Sequence, residues 1–268
     1  LQKSDSLEST GKADLHIHTA HSDGMADIPE LLEHVETQTD LDVIAIVDHD
    51  DLRPAWVTRD VWARGHYRFQ VIIGMEVTAI EGHLLALFLE DPVPSLRPID
   101  ETLEDVHRRG GLCIVPHPMS WLTRSLDATT LSRINARRTD GVYFDGIETA
   151  NQTPGARHRI AKAAEMNRRS WGLAEVGGSD AHFLSVIASA YTAFPGRTAD
   201  DLRRAILDKT TRGVNARYPS LREMGALAVL RQSWRGLRAT PRAVGWGPTA
   251  LSFVRRIFRL PVSRRELP

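Results

Sequence analysis

Between Asp14 and Gly24 the chain reads Asp14-Leu15-His16-Ile17-His18-Thr19-Ala20-His21-Ser22-Asp23-Gly24, three histidines and two aspartates beside a glycine. On an extended strand, residues two positions apart leave the same face, so His16 and His18 can direct their imidazoles at one ion or at neighbouring ions. Burying such a cluster with nothing to compensate it is costly. The competing reading is a polar surface strand with incidental histidines, and the pair alone does not choose between the two. The choice depends on whether later segments complete a coordination shell.

Later segments do supply candidates. The β-branched run Leu41 to Val47 ends on Asp48-His49-Asp50, Val71 to Met75 runs into Glu76, and His83 opens the apolar segment Leu84 to Leu89. Leu112 to Pro116 runs into His117, Gly146-Ile147 leads to Glu148 and Asn151, and Trp171 to Ala174 leads through Glu175-Val176-Gly177-Gly178-Ser179 to Asp180-Ala181-His182. The collected set is His16, His18, Asp23, His49, Glu76, His83, His117, Asp180 and His182. Mostly imidazole with a minority of carboxylate, it suits zinc, manganese or iron better than calcium or magnesium, and it is too large for one ion. Two or three divalent transition metals are therefore expected. Neighbouring divalent ions can share a hydroxide as nucleophile and clamp the attacking and leaving oxygens of a phosphoryl displacement, which makes phosphate-ester hydrolysis the natural chemistry.

Helical segments separate these strands. Asp27 and Glu30 read as a capping box ahead of Ile28, Leu31, Leu32 and Val35, predicting a helix over 28–38. Further helices are expected over 101–109, ending at Gly110-Gly111, over 156–168, and after Thr198 and Asp201, carrying Leu202, Ala205, Ile206 and Leu207. Ala190 to Phe194 is the last strand candidate. Strand–helix alternation with polar groups at strand ends argues for a parallel sheet in a closed or nearly closed α/β barrel, its site at the C-terminal rim of the strands. A doubly wound sheet would carry a glycine-rich phosphate turn after the first strand, and none is present.

Asp14-Leu15-His16-Ile17-His18 with Ser22-Asp23-Gly24, Val47-Asp48-His49-Asp50, Gly74-Met75-Glu76-Val77, His83, Pro116-His117-Pro118 and Ser179-Asp180-Ala181-His182 occur in order, and over roughly Ala13 to Arg212 the chain resembles the polymerase and histidinol phosphatase (PHP) family of metal-dependent phosphoesterases. The resemblance implies a distorted (β/α)7 barrel holding two or three metals on the nine collected residues. It implies Asp23, His49, Glu76 and Asp180 as the catalytic core, with Glu76 and Asp180 touching more than one metal. Ser22-Asp23-Gly24 and the early His83 are closer to the stand-alone enzymes acting on nucleotide or oligonucleotide phosphates than to histidinol phosphatases, which often place histidine near the Asp23 position. The chain departs from that branch in lacking a large insertion between the third and fourth strands and in adding an arginine-rich tail.

Other residues are assigned by context. Arg53, Arg124 and Arg157 lie in loops or helix starts after strands and are candidates to hold a phosphate, together with His21 in the motif loop and His158 beside Arg157. Asp14, Asp48 and Asp50 are expected to accept the outer N–H of His16 and His49, or else only to cap the following turns. His107, followed by Arg108 and Arg109, is expected to do no more than favour a helix C-terminus.

Composition narrows the class. A hydrophobic fraction of 42% and a charged fraction of 25% are ordinary for a soluble globular chain, and a formal net charge of +0 gives no overall attraction to nucleic acid. Cys113, the single cysteine, lies in the apolar run Leu112 to Val115 and reads as a buried thiol. No apolar run approaches a membrane span and Leu1 to Ala13 lacks a hydrophobic signal region, so a cytosolic compartment is expected. The division expected is a flexible tail over 1–12, a phosphoesterase domain over 13–213 and an arginine-rich helical extension over 214–268. The extension interleaves Leu221, Met224, Leu227, Leu230 and Trp234 with Arg222, Arg231, Arg235 and Arg238, then Leu251, Val254, Ile257, Phe258 and Leu260 with Arg255, Arg256 and Arg259. Two basic amphipathic helices are expected there, capping the barrel or touching an anionic membrane surface peripherally.

The expected activity is hydrolysis of a phosphorylated small molecule, a nucleotide or a short nucleic acid, with no stable protein partner. The alternative from another class is a metal-binding module that has no catalysis and serves a regulatory or structural role; the complete ligand set argues against it. An amidohydrolase-type barrel would use similar ligands together with a carbamylated-lysine pattern that this chain lacks.

Overall fold

The computed structural model describes residues 10–234. Among them, nine strands form one sheet: β1 (Thr10–Ile17), β2 (Val43–Ile46), β3 (Gln70–Thr78), β4 (His83–Leu87), β5 (Leu112–Val115), β6 (Gly146–Ala150), β7 (Ala174–Gly177), β8 (Ala190–Pro195) and β9 (Arg212–Asn215). Their order is β7-β6-β5-β4-β3-β2-β1-β8-β9. The helices are α1 (Ile28–Gln38), α2 (Arg53–Arg64), α3 (Ile99–Arg108), α4 (Ala128–Ala136), α5 (Arg157–Met166), α6 (Ala199–Leu207) and α7 (Leu221–Met224). This is the α/β barrel expected, nearly closed.

The distortion has a local cause. β1–β2–β3 and β5–β6–β7 pair in parallel, but β4 is antiparallel to both β3 and β5. Four residues separate β3 from β4, too few for the crossover a parallel neighbour needs, so the chain must turn back. The reversal brings the N-terminal residue of β4, His83, to the rim where the parallel strands end.

Side-chain alternation divides the core in two. Val43, Ala45 and Val47 face a barrel interior with Leu85, Leu87, Leu112, Ile114, Ala174 and Val176, plugged by Leu202, Ala205 and Ile206 of α6. Ile44 and Ile46 face outward onto a second layer with Leu31, Leu32 and Val35 of α1. In β1 the register against β2 slips between Asp14 and Ile17. Two residues there, Leu15 and His16, oppose Ala45 alone, which lets Leu15 join the interior while the next residue, His16, also turns in above it.

Closure occurs in two places. At the rim, His18 N donates to Ala181 O and Ala181 N donates to His16 O, both at 3.0 Å, so the continuation of β7 pairs with the end of β1. Lower down, the Gly177 N–H donates to Thr192 Oγ1 of β8 and that hydroxyl donates back to Gly177 O, each at 2.9 Å. One side chain here does the work of a missing ladder rung. β9 presses on the same seam, where a Cβ on Gly213 would lie 2.5 Å from Val176 O.

Two sequence expectations change. Residues 10–12, assigned to a flexible tail, are strand: Thr10, Gly11 and Lys12 pair antiparallel with β8, and residues 1–9 lie outside the described ones. β9 runs through position 213/214 to Asn215, and Ala216 N still donates to Ser189 O at 2.8 Å. Of the expected extension, 221–224 and 226–234 are helical; the stretch expected to carry Leu251 to Leu260 lies outside the described residues. No helix among the described residues is long and apolar enough to cross a membrane.

Replacing Thr192 by Val leaves the Gly177 N–H and C=O without a partner inside the protein. The variant is expected to lose about 1–3 kcal/mol of unfolding free energy in urea titration.

Candidate metal centre

Each strand end now delivers its residue to one buried spot. Nε2 of His16 and Nε2 of His18 are 3.1 Å apart; Glu76 Oε2 lies 3.5 and 3.4 Å from them and Asp180 Oδ1 3.5 Å from both. Glu76 and Asp180 thus both reach the same imidazole pair, and His16, His18 and Glu76 converge closely enough to hold one ion. A second set surrounds the other face of Glu76: His49 Nδ1 is 3.2 Å from Oε2, while His83 Nδ1 and His117 Nε2 are 2.9 and 3.0 Å from Oε1. A third gathers on Asp23, with His182 Nε2 at 3.0 Å, His49 Nε2 at 3.7 Å and His18 Nδ1 at 3.6 Å. The structure thus brings all nine expected ligands together.

The donor chemistry fits divalent metal. His18 Nδ1 and His83 Nδ1 are buried and make no hydrogen bond, although His83 Nδ1 lies close to Glu76. Buried ring nitrogens with no partner are costly unless a cation takes their lone pairs. Overlapping groups of residues could each hold an ion: His18, Asp23, His49 and His182; His16, His117 and Asp180; His16, His18 and Glu76; and His49, Glu76 and His83. Glu76 is shared by the last two.

The electrostatics without an ion show how tightly charge is packed. Burial opposes ionisation of Glu76, yet His83, His49 and His16 hold its pKa well below the usual carboxylate range. Burial also opposes charging of His49, which Glu76 and Asp23 nevertheless push up to about 10, and of His182, which Asp23 and Asp180 push up to about 9. His18 goes the other way, lowered by burial and by repulsion from His182. Two ligand positions carry backbone strain as well: His117 (φ 29°) and Asp180 (φ 52°) sit in the left-handed region, at a cost of about 1–3 kcal/mol each.

The supports around the ligands differ from those expected. Asp14 accepts the backbone N–H of Ser179 and of Ala188 at 2.9 Å, Asp48 accepts Thr19 N, Thr19 Oγ1 and Ser22 Oγ, and Asp50 accepts Thr78 N and Ser95 Oγ. These three aspartates hold turns, not imidazoles. The residue that orients His16 is Glu148 of β6, fully buried, which accepts His16 Nδ1–H at 2.9 Å, His117 N at 2.6 Å and Asn151 Nδ2 at 2.9 Å. With Nε2 of His117 facing Glu76, its Nδ1 is left to donate to Ser125 Oγ at 2.8 Å. Gly178 lets the strands close on this arrangement, since a Cβ there would fall 2.6 Å from Glu148 Oε1. Glu148 follows the short apolar pair Gly146-Ile147 in sequence, and that was the available signal, although it lies in the middle of β6; Ser125, in an irregular loop, carried none.

Candidate substrate residues lie outside the cluster. Arg53 is turned to solvent with its guanidinium forked onto Asp51, and Arg124 donates to the carbonyls of Ala79 and Ile80. Arg157 and His158 are exposed at the start of α5, Arg157 Nε donating to His158 Nε2 at 3.3 Å, and His21 is exposed with Nδ1 3.3 Å from Thr19 Oγ1. Half-buried Tyr218 has its pKa raised by burial and then by Asp180, and lowered by Arg157. His107 does more than end a helix: its Nε2 pairs with Asp145 Oδ2 at 2.9 Å and its ring stacks on Tyr143 at 4.3 Å, tying α3 to the start of β6.

Glu148→Gln would turn an amide N–H towards one of three donors. It is expected to weaken metal binding about 10–100-fold in competition titration with a chelating dye, with far-UV circular dichroism unchanged. His49 and His182 are protonated at neutral pH without metal and must be neutral as ligands, so binding releases protons and affinity falls as pH drops below about 9. Calorimetry in buffers of different ionisation enthalpy reads the number released; a heat independent of buffer contradicts this.

Comparison with known proteins follows the same line. The family model described as PHP-associated matches residues 161–211. An uncharacterized protein of Methanocaldococcus jannaschii is 30% identical over 148 residues, covering 49% of this chain and 85% of that protein; a second from the same organism is 29% identical over 185 residues, covering 68% and 70%. Among solved structures, a two-domain protein of Bacteroides vulgatus containing a predicted PHP-like metal-dependent phosphoesterase aligns with a TM-score of 0.62 at 20% identity, over 78% of this chain and 65% of that one. PsfC from Pseudomonas syringae gives 0.59 at 18% identity, over 85% and 98%, and the lesion-specific endonuclease Q of Pyrococcus furiosus 0.55 at 15%, over 82% and 66%. At these identities the structures speak for the fold, while the relatives and the family model speak for descent. The chain belongs to the polymerase and histidinol phosphatase (PHP) family.

Proposed function

We propose that the protein is a metal-dependent phosphoesterase that hydrolyses a phosphate ester in a nucleotide, an oligonucleotide or a small phosphorylated metabolite, using two or three ions of manganese, iron or zinc. The observation that carries this reading is the convergence of five imidazoles on the buried Glu76 carboxylate, His16, His18 and His49 on Oε2 and His83 and His117 on Oε1, with Asp180 reaching the same His16–His18 pair. Bound divalent ions would supply Lewis acidity, acidifying a water and taking up negative charge on the ester.

The chain's own residues do the rest. Glu76 holds five imidazoles at fixed distances, and Asp23 and Asp180 do the same for His182. Glu148 and Ser125 fix the ring orientation of His16 and His117. Burial of His16, His18, Glu76 and His117 keeps bulk water from these groups and strengthens every charge interaction among them. At the mouth, Arg157, His158 and His21 offer exposed donors to the remaining phosphate oxygens, and no side chain is needed as a covalent phosphate carrier.

Purified protein is expected to retain transition metal and to hydrolyse a generic aryl phosphate or phosphodiester in the presence of Mn²⁺. Glu76→Gln is expected to lower kcat at least ~100-fold, beyond the effect of the outer carboxylate Glu148. A folded protein that binds no transition metal and releases no product from nucleoside phosphates, short oligonucleotides or sugar phosphates would overturn the proposal.

A further inference from the structure

The segment after β9 presents its apolar side to the solvent. Helical residues 226–234 place Leu227, Leu230 and Trp234 at 72%, 67% and 63% exposure, while Ala228, Val229 and Gln232 are the half-buried ones. At about 100° per residue, the two leucines and the tryptophan share an arc of about 60°, and the half-buried three lie on the opposite side. A helix capping the barrel would be oriented the other way. Among the described apolar residues expected to cap it, Met224 packs against the core and Leu221 is 56% exposed.

Charge says what covers this face. From Val214 to Pro268 the sequence holds eleven arginines and two glutamates, a net charge of +9 that the preceding residues offset to give a neutral chain. Arg231 sits one helical turn from Leu227 and Trp234, at the flank of the exposed stripe. The same segment carries Trp246, Phe253 and Phe258 among its arginines. A nucleic acid would match the charge and leave the leucines in water, a second copy would match the stripe while bringing its own basic segment against this one, and a protein groove would have to be apolar and acidic together. An anionic bilayer surface matches both, the leucines and tryptophan entering the acyl boundary and the arginines meeting the headgroups.

We propose that residues 221–234 form a peripheral docking surface for anionic lipid membranes, with Leu227, Leu230 and Trp234 as the inserting residues. The contact lies on the membrane, since no described helix is long enough to cross it. It stands independently of the hydrolytic reading, as none of these residues belongs to the metal centre.

The test is sedimentation of the full chain with vesicles of phosphatidylcholine, with and without phosphatidylglycerol, at low and high salt. Binding is expected only to the anionic vesicles, weakening with salt by on the order of fivefold for each arginine near the surface that is screened. The triple variant Leu227→Ser, Leu230→Ser, Trp234→Ser is expected to bind at least about tenfold more weakly while keeping the wild-type thermal melt. Trp234→Phe separately keeps the binding and diminishes the blue shift of tryptophan emission seen on vesicle addition. Equal, negligible sedimentation with both vesicles overturns the proposal. So does vesicle binding that the triple variant leaves unchanged, retention of a duplex oligonucleotide without vesicle binding, or a dimer abolished by the triple variant in the absence of vesicle binding.

Discussion

A carboxylate at 1% exposure surrounded by five imidazoles is the constraint around which this molecule is arranged. Glu76 cannot be solvated, and its neighbours cannot all donate to it, because a neutral imidazole has one N–H and each carboxylate oxygen is already crowded. The protein therefore keeps a reservoir of unsatisfied electrostatic energy at the barrel mouth. Without an ion, that energy appears as strongly displaced pKa values of both signs within one cluster: Glu76 and Asp23 pulled down, His49 and His182 pushed up, His18 pushed down. Cations placed among the lone pairs relieve all of these at once, which couples metal binding to the stability of the rim.

Holding such a cluster requires a rigid frame that converges from many directions, and the barrel provides one. Its lower half is an ordinary apolar interior plugged by α6, so the polar groups are lifted to the end where strands terminate and backbone direction can change. Each departure from regular geometry serves the rim. The bulge in β1 turns His16 inward, the antiparallel β4 brings His83 up from a strand start, and the left-handed backbones of His117 and Asp180 aim side chains that a regular strand would direct elsewhere.

Much of this was legible in the residues. Apolar runs ending on His or Asp recur often enough that the barrel and the clustering of all nine candidate residues could be read, and the caps of α1 and α6 begin where Asp27 and Thr198 indicated. What was not legible depended on distant partners. Glu148 was visible as a carboxylate after a short apolar run, but only the fold shows that it faces His16 from across the barrel. Asp14, Asp48 and Asp50 adjoin the histidines in sequence, yet the nearest unsatisfied donors in space are backbone amides of neighbouring loops, and those win. α2 hides its pattern because Trp56, Val61 and Trp62 are only partly covered, so its apolar face is broad and weakly periodic. The direction of β4 followed from loop length, a cue that strand–helix alternation obscured.

The seam between β7 and the pair β8–β9 has a mechanical side. Across it the barrel is held at Gly177 by one threonine hydroxyl and at Gly213 by bare backbone proximity, and the last strand on that seam is the one from which the C-terminal segment departs. Three residues beyond Gly177, the same strand direction reaches Asp180. Tension on the C-terminal segment would therefore be transmitted through β9 as shear along this lightly bonded line, and that line ends at the buried carboxylate of Asp180.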